Sequence, residues 1–129
     1  MNQRGFMRII IHLSDVKELI QENPEIFYGL KSHIVKECLQ KLPKNIHVLN
    51  GFADHALHLK RNGGREHYGI NCIQEILRWE SYFQEEDDAY KINNNHGPVY
   101  GRIITALIPE LRGMFRTKKN VENYAVEEV

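Results

Sequence analysis

Pro24-Glu25-Ile26-Phe27-Tyr28-Gly29-Leu30-Lys31-Ser32-His33-Ile34-Val35-Lys36-Glu37-Cys38-Leu39-Gln40-Lys41-Leu42 places an apolar residue at every fourth position: Ile26, Leu30, Ile34, Cys38 and Leu42. Phe27, Val35 and Leu39 widen that stripe, and Lys31, Lys36, Glu37 and Lys41 fall off it. A helix turns once in 3.6 residues, so this spacing predicts one apolar face and one solvated face. Asn23 is a suitable cap and Pro24 fits the first turn, so a helix is expected from Pro24 to Leu42. Pro43-Lys44-Asn45 is expected to follow its end.

Working outward, Ser14 is a candidate cap for a short helix from Asp15 to Glu22. On the C-terminal side, Val48, Leu49, Phe52, Ala53, Ala56 and Leu59 share one side of a helix over 48–62. Gly63-Gly64 stops it, because glycine takes left-handed backbone without penalty. A further helix is expected over 70–84, with Ile70, Cys72, Ile73, Ile76, Leu77, Trp79 and Phe83 on its apolar half and Asn71, Gln74 and Arg78 outward. Glu80 falls inside the apolar arc. A buried carboxylate needs a partner, and Arg102 is the candidate, which would tie two helices together. Glu85-Glu86-Asp87-Asp88 reads as a solvated connection, and Tyr90-Lys91-Ile92 as a short strand. Asn95 or Gly97 would cap a helix with Pro98 in its first turn. Val99, Tyr100, Ile103, Ile104 and Leu107 would be buried in it, with Arg102 and Thr105 outside. Pro109 begins a last short turn carrying Leu111, Met114 and Phe115.

These elements add up to a mainly α protein, a single helical domain over 1–119 with a flexible tail at 120–129. The domain divides into N-terminal helices (1–45) and a helix-turn-helix-like region (46–119). A strand pair near Tyr90 would make it winged-helix-like. Its 129 residues are enough to bury about two-thirds of the unfolded surface. Lys plus Arg and Asp plus Glu are 17 each, so no global charge draws the chain to nucleic acid or lipid; a nucleic-acid surface would need local segregation of charge. No apolar run approaches the roughly 18 residues of a membrane span. Cys38 and Cys72 lack CxxC spacing and are expected to be reduced, buried thiols. A cytoplasmic protein is therefore expected, with Met7 as an alternative start.

No motif for catalysis or for a cofactor occurs, so neither an enzyme nor a cofactor is expected. Three surfaces are candidates for function. Asn71, Gln74 and Arg78 are suitable types for reading base edges. Lys60, Arg61, Arg65, Arg102 and Arg116 could contact phosphates of duplex DNA; the competing explanation is a helical hairpin with a polar outer face. Asp54, His55 and His58 share the polar side of the 48–62 helix, where Asp54 and His58 could reach one metal ion, with His67 or His96 as a third ligand. Solvated histidines are the simpler explanation. Asn93-Asn94-Asn95 suits backbone demands at a helix start better than catalysis.

Ile73-Gln74-Glu75-Ile76-Leu77-Arg78-Trp79-Glu80, Tyr90 to Asn94, Tyr100-Gly101-Arg102 and Pro109-Glu110-Leu111-Arg112-Gly113-Met114-Phe115-Arg116 form spaced blocks. Together they resemble a family of small uncharacterised proteins from bacterial and phage genomes. The likeness covers about residues 52–118. It implies a phage or mobile-element setting, where small proteins bind DNA or inhibit a host system. The expected function is therefore DNA binding, and the alternative is interaction with a host or phage protein. A metal-dependent nuclease built on Asp54, His55 and His58 is the third reading, the one exception to the expectation of no enzyme.

Overall fold

The computed structural model describes residues 10–65, 67–81 and 94–115, with side chains at 10–65, 67–78 and 95–115. The described chain is mainly helical. Its α-helices are α1 (Leu13–Glu22), α2 (Ser32–Asn62), α3 (Ile70–Ser81) and α4 (Gly97–Leu107), with single 3-10 turns at Pro24–Phe27, Asn94–His96 and Pro109–Leu111. The one bridge between extended residues, among those described, joins Tyr68 to Phe115 in parallel.

The expected apolar faces largely become the core. Phe52, Leu49, Leu42 and Val48 of α2 are buried with Ile103, Ile104 and Tyr100 of α4 and with Ile73 and Leu77 of α3. The α4 helix packs on both α2 and α3, and the 24–27 and 109–111 turns close over it. At its start, buried His96 meets Glu37 of α2 at 3.0 Å. That contact, then Lys41, holds the Glu37 carboxyl below the usual carboxylate range.

Several boundaries differ from those expected. Leu13, not Asp15, starts α1, and Ser14 does not cap it; the backbone N–H of His12 donates to Asp15 Oδ2 at 2.9 Å instead. The helix expected from Pro24 is one 3-10 turn, and Gly29 then turns the chain at φ 92°. A continuous helix would need the carbonyls of Ile26 and Tyr28 for the N–H groups of residues 30 and 32. Arg102 Nη1 donates to both carbonyls at 2.8 Å, so the helix restarts at Ser32.

Pro43, expected just beyond a helix end, lies inside α2, which kinks at Asn45 (φ −114°, ψ 18°). Proline removes one helical hydrogen bond and crowds the carbonyl four residues back, costing about 3 kcal/mol. Burial offsets this, because Val35, Cys38 and Leu42 before the kink and Val48, Leu49 and Phe52 after it reach one core. The Asn45 side chain bonds the Tyr100 hydroxyl at the bend.

The α3 face is also rotated from expectation. Its inward stripe is Ile70, Ile73, Gln74 and Leu77, at i, i+3, i+4 and i+7. Cys72 lies opposite and is exposed, whereas Cys38 is buried. Trp79 and Glu80 belong to α3, but the core anchor and buried tie expected of them rest on side chains beyond those described. The 85–88 connection, the strand near Tyr90, Arg116 and the 120–129 tail lie outside the described residues.

Burial pushes the Cys38 thiol up to about 12, so its nucleophilic thiolate is scarce at neutral pH. Titrating the native protein with a thiol reagent should label one equivalent, Cys72. Cys38 should react only after denaturation. Two fast equivalents would contradict its burial.

Candidate functional site

The base-reading set does not assemble as expected. Asn71 is exposed, but Gln74 is 1% exposed. Its carboxamide rests on Gly97 at the start of α4, where an added Cβ would come 2.7 Å from Gln74 Cδ. The three residues do share one side of α3, but that side tilts into the α4 interface. Arg78 Nη1 donates to Glu75 Oε2 of its own helix at 2.7 Å.

The expected phosphate contacts divide between two places. Arg102 is half-buried rather than outward, and its Nη1 donates to Ile26 O and Tyr28 O. Arg61, with Lys60 at the end of α2, forms a bidentate pair with Glu110, Nε to Oε2 at 2.8 Å and Nη2 to Oε1 at 2.7 Å. The guanidinium holds the Glu110 carboxyl below its ordinary value. Such exposed pairs contribute about 0–1 kcal/mol. Nearby, His67 bonds Gly113 O at 3.0 Å, and Tyr68 N–H donates to Met114 O at 3.0 Å. These bonds join the end of α2, the 63–69 connection and the 109–115 turn into one corner. Arg65 and Arg112 are exposed on it.

Asp54 and His55 are half-buried and His58 is exposed, with its ring 3.4 Å from Asn62 Nδ2. Among the described residues no three His, Cys, Asp or Glu side chains converge where one metal ion could be held. No described helix is long and apolar enough to cross a membrane.

A cleft that the sequence did not reveal lies elsewhere. The extended segment at Ile10 and Ile11 forms one wall, the end of α4 at Leu107 and Ile108 another, and Asp15, Glu18, Leu19 and Glu22 of α1 the rim. Its volume is about 340 Å³, and it is open to solvent. The Asn50 side chain holds the first wall in place. Its Oδ1 accepts the Ile11 N–H at 2.7 Å, and its Nδ2 donates to Ile11 O at 2.9 Å and to Ile46 O at 3.1 Å. This carboxamide acts as a neighbouring strand would, so Ile11 points inward and its chain neighbour Ile10 stays 67% exposed.

One sequence signal bears on the α1 rim. Asp15, Glu18 and Glu22 stand at i, i+3 and i+7 with Leu19 between them. No sequence spacing, however, links residue 10 to residue 107.

No family model, no curated protein and no solved structure matches the chain.

Proposed function

We propose that this protein is a protein–protein interaction module that docks a segment of a host or phage protein in the cleft beside α1. The observation that carries this reading is the pairing of an apolar floor, Leu107 and Ile108, with an exposed aliphatic residue at its lip, Ile10. An isoleucine left two-thirds exposed beside other apolar groups gains free energy once a partner covers it. The likeness to phage and bacterial proteins is consistent with a modulator of this kind. Capture from host lysate should retain a partner after nuclease treatment and lose it with Ile10→Asp. That substitution spares folding because the side chain is exposed. Capture that disappears with nuclease, or that Ile10→Asp leaves intact, would contradict the proposal.

A second reading, DNA binding, draws on the corner carrying Lys60, Arg65 and Arg112. There the contacts would be to phosphates, without a base-reading helix face, and so would discriminate little between sequences. On this reading, duplex affinity falls steeply with added salt. The triple change Lys60→Gln, Arg65→Gln, Arg112→Gln should flatten that slope by about 3. Absence of binding at low salt would remove the reading.

A further inference from the structure

We infer that the segment taken by the cleft is a cationic amphipathic helix, its aliphatic side chains meeting Leu107 and Ile108 and its lysines or arginines meeting the α1 carboxylates; the inference rests on the docking reading above. Asp15, Glu18 and Glu22 stand on one face of α1, about one turn apart or less. Lys17, the only basic residue of α1, lies about 200° round the helix from Asp15 and cannot neutralise that face. Among the described residues none of the three carboxylates forms an ion pair. Asp15 is occupied in accepting the His12 N–H at the helix start.

Glu18 and Glu22 are left exposed on either side of Leu19. Like charges four residues apart destabilise a helix. A carboxylate in the last turn also opposes the helix dipole, and no basic side chain there relieves it. Among the described residues no cation relieves the electrostatic penalty on this face, and cations of a partner would. Because the carboxylates recur at helical intervals, a partner helix with cations at i, i+3 or i+4 meets them in register. A neutral apolar segment would fill the floor and leave the penalty in place.

Three 14-residue model peptides with leucine at the same helical positions, and lysine, glutamine or glutamate elsewhere, separate the possibilities. Titrated into the ¹⁵N-labelled full chain, the lysine peptide should shift amide signals of residues 10–22 and 107–108. Its affinity should exceed that of the glutamine peptide at least tenfold and fall with salt. The double change Glu18→Lys, Glu22→Lys should lose the lysine peptide at least tenfold and gain the glutamate peptide. Should that variant misfold, Glu18→Gln with Glu22→Gln should show the same loss. Equal binding of the lysine and glutamine peptides overturns the cationic assignment and leaves docking intact. If no peptide shifts those residues, the docking reading fails as well. Shifts of the same signals on concentrating the protein alone would assign the cleft to a second copy of this chain and overturn the inference.

Discussion

Phe52→Ala is expected to cost about 3–5 kcal/mol, the range for truncating a buried aromatic ring. Phe52 is fully buried on the second half of α2, and its ring centroid lies 5.0 Å from that of Tyr100 at 42°. The substitution removes that tilted ring pair, which adds to simple burial. It also opens a void where α2 faces α4, and the neighbouring Leu49, Ile103 and Ile104 are themselves buried and unable to collapse freely into it. Domains of this size are stable by roughly 5–15 kcal/mol, so the variant loses a large share of its stability. Urea unfolding should show a lower midpoint at unchanged slope. A loss under about 1 kcal/mol would mean that the α2–α4 seam is not the centre of the fold.

Asn50→Ala carries the second large effect. It deletes all three hydrogen bonds of the carboxamide and leaves the N–H and carbonyl of Ile11, a residue only 4% exposed, without those partners. Each lost bond costs about 1 kcal/mol, and stranding a buried polar group costs 1–3, so a total of about 3 kcal/mol is expected. The effect should be local as well as global. The Ile11 amide should lose its protection from hydrogen exchange before the core amides of α2 do. Asn50→Asp keeps an acceptor for Ile11 N–H but loses the donor to Ile11 O, so it should also release the segment. With the cleft wall freed, partner capture should weaken even where the core is intact. An Asn50→Ala protein of unchanged stability and exchange would show that the clamp does not hold that wall.

The fold was legible where spacing alone decides it. The four-residue recurrence through Ile34, Cys38 and Leu42 marks the face of α2 that is buried, and Pro98 and Pro109 mark the turns they begin. It was not legible where a distant side chain overrides a local signal. Gly29 and Pro43 show the two directions of that override. The helix breaks at residues 28–31, next to the Ile26 and Tyr28 carbonyls that Arg102 takes; it survives Pro43 because both halves bury against one core. Gln74 is polar and so expected outward, yet its place in the stripe of Ile70, Ile73 and Leu77 carries it onto Gly97. The cleft depends on Asn50 holding Ile11 and on residue 107 meeting residue 10. Neither is encoded by a local pattern. The carboxylates at 15, 18 and 22 recur at helical spacing, but that spacing by itself describes any solvated helix face.

The most direct test of the docking proposal places a photoreactive cross-linking residue at position 10 in one protein and at position 65 in another. Both positions are exposed. Irradiation in host lysate, followed by nuclease treatment and mass spectrometry, should give a protein adduct at position 10, at the lip of the cleft, and none at position 65. An adduct confined to position 65, or nucleic acid recovered there with nothing at position 10, would contradict the account and move the function to the basic corner.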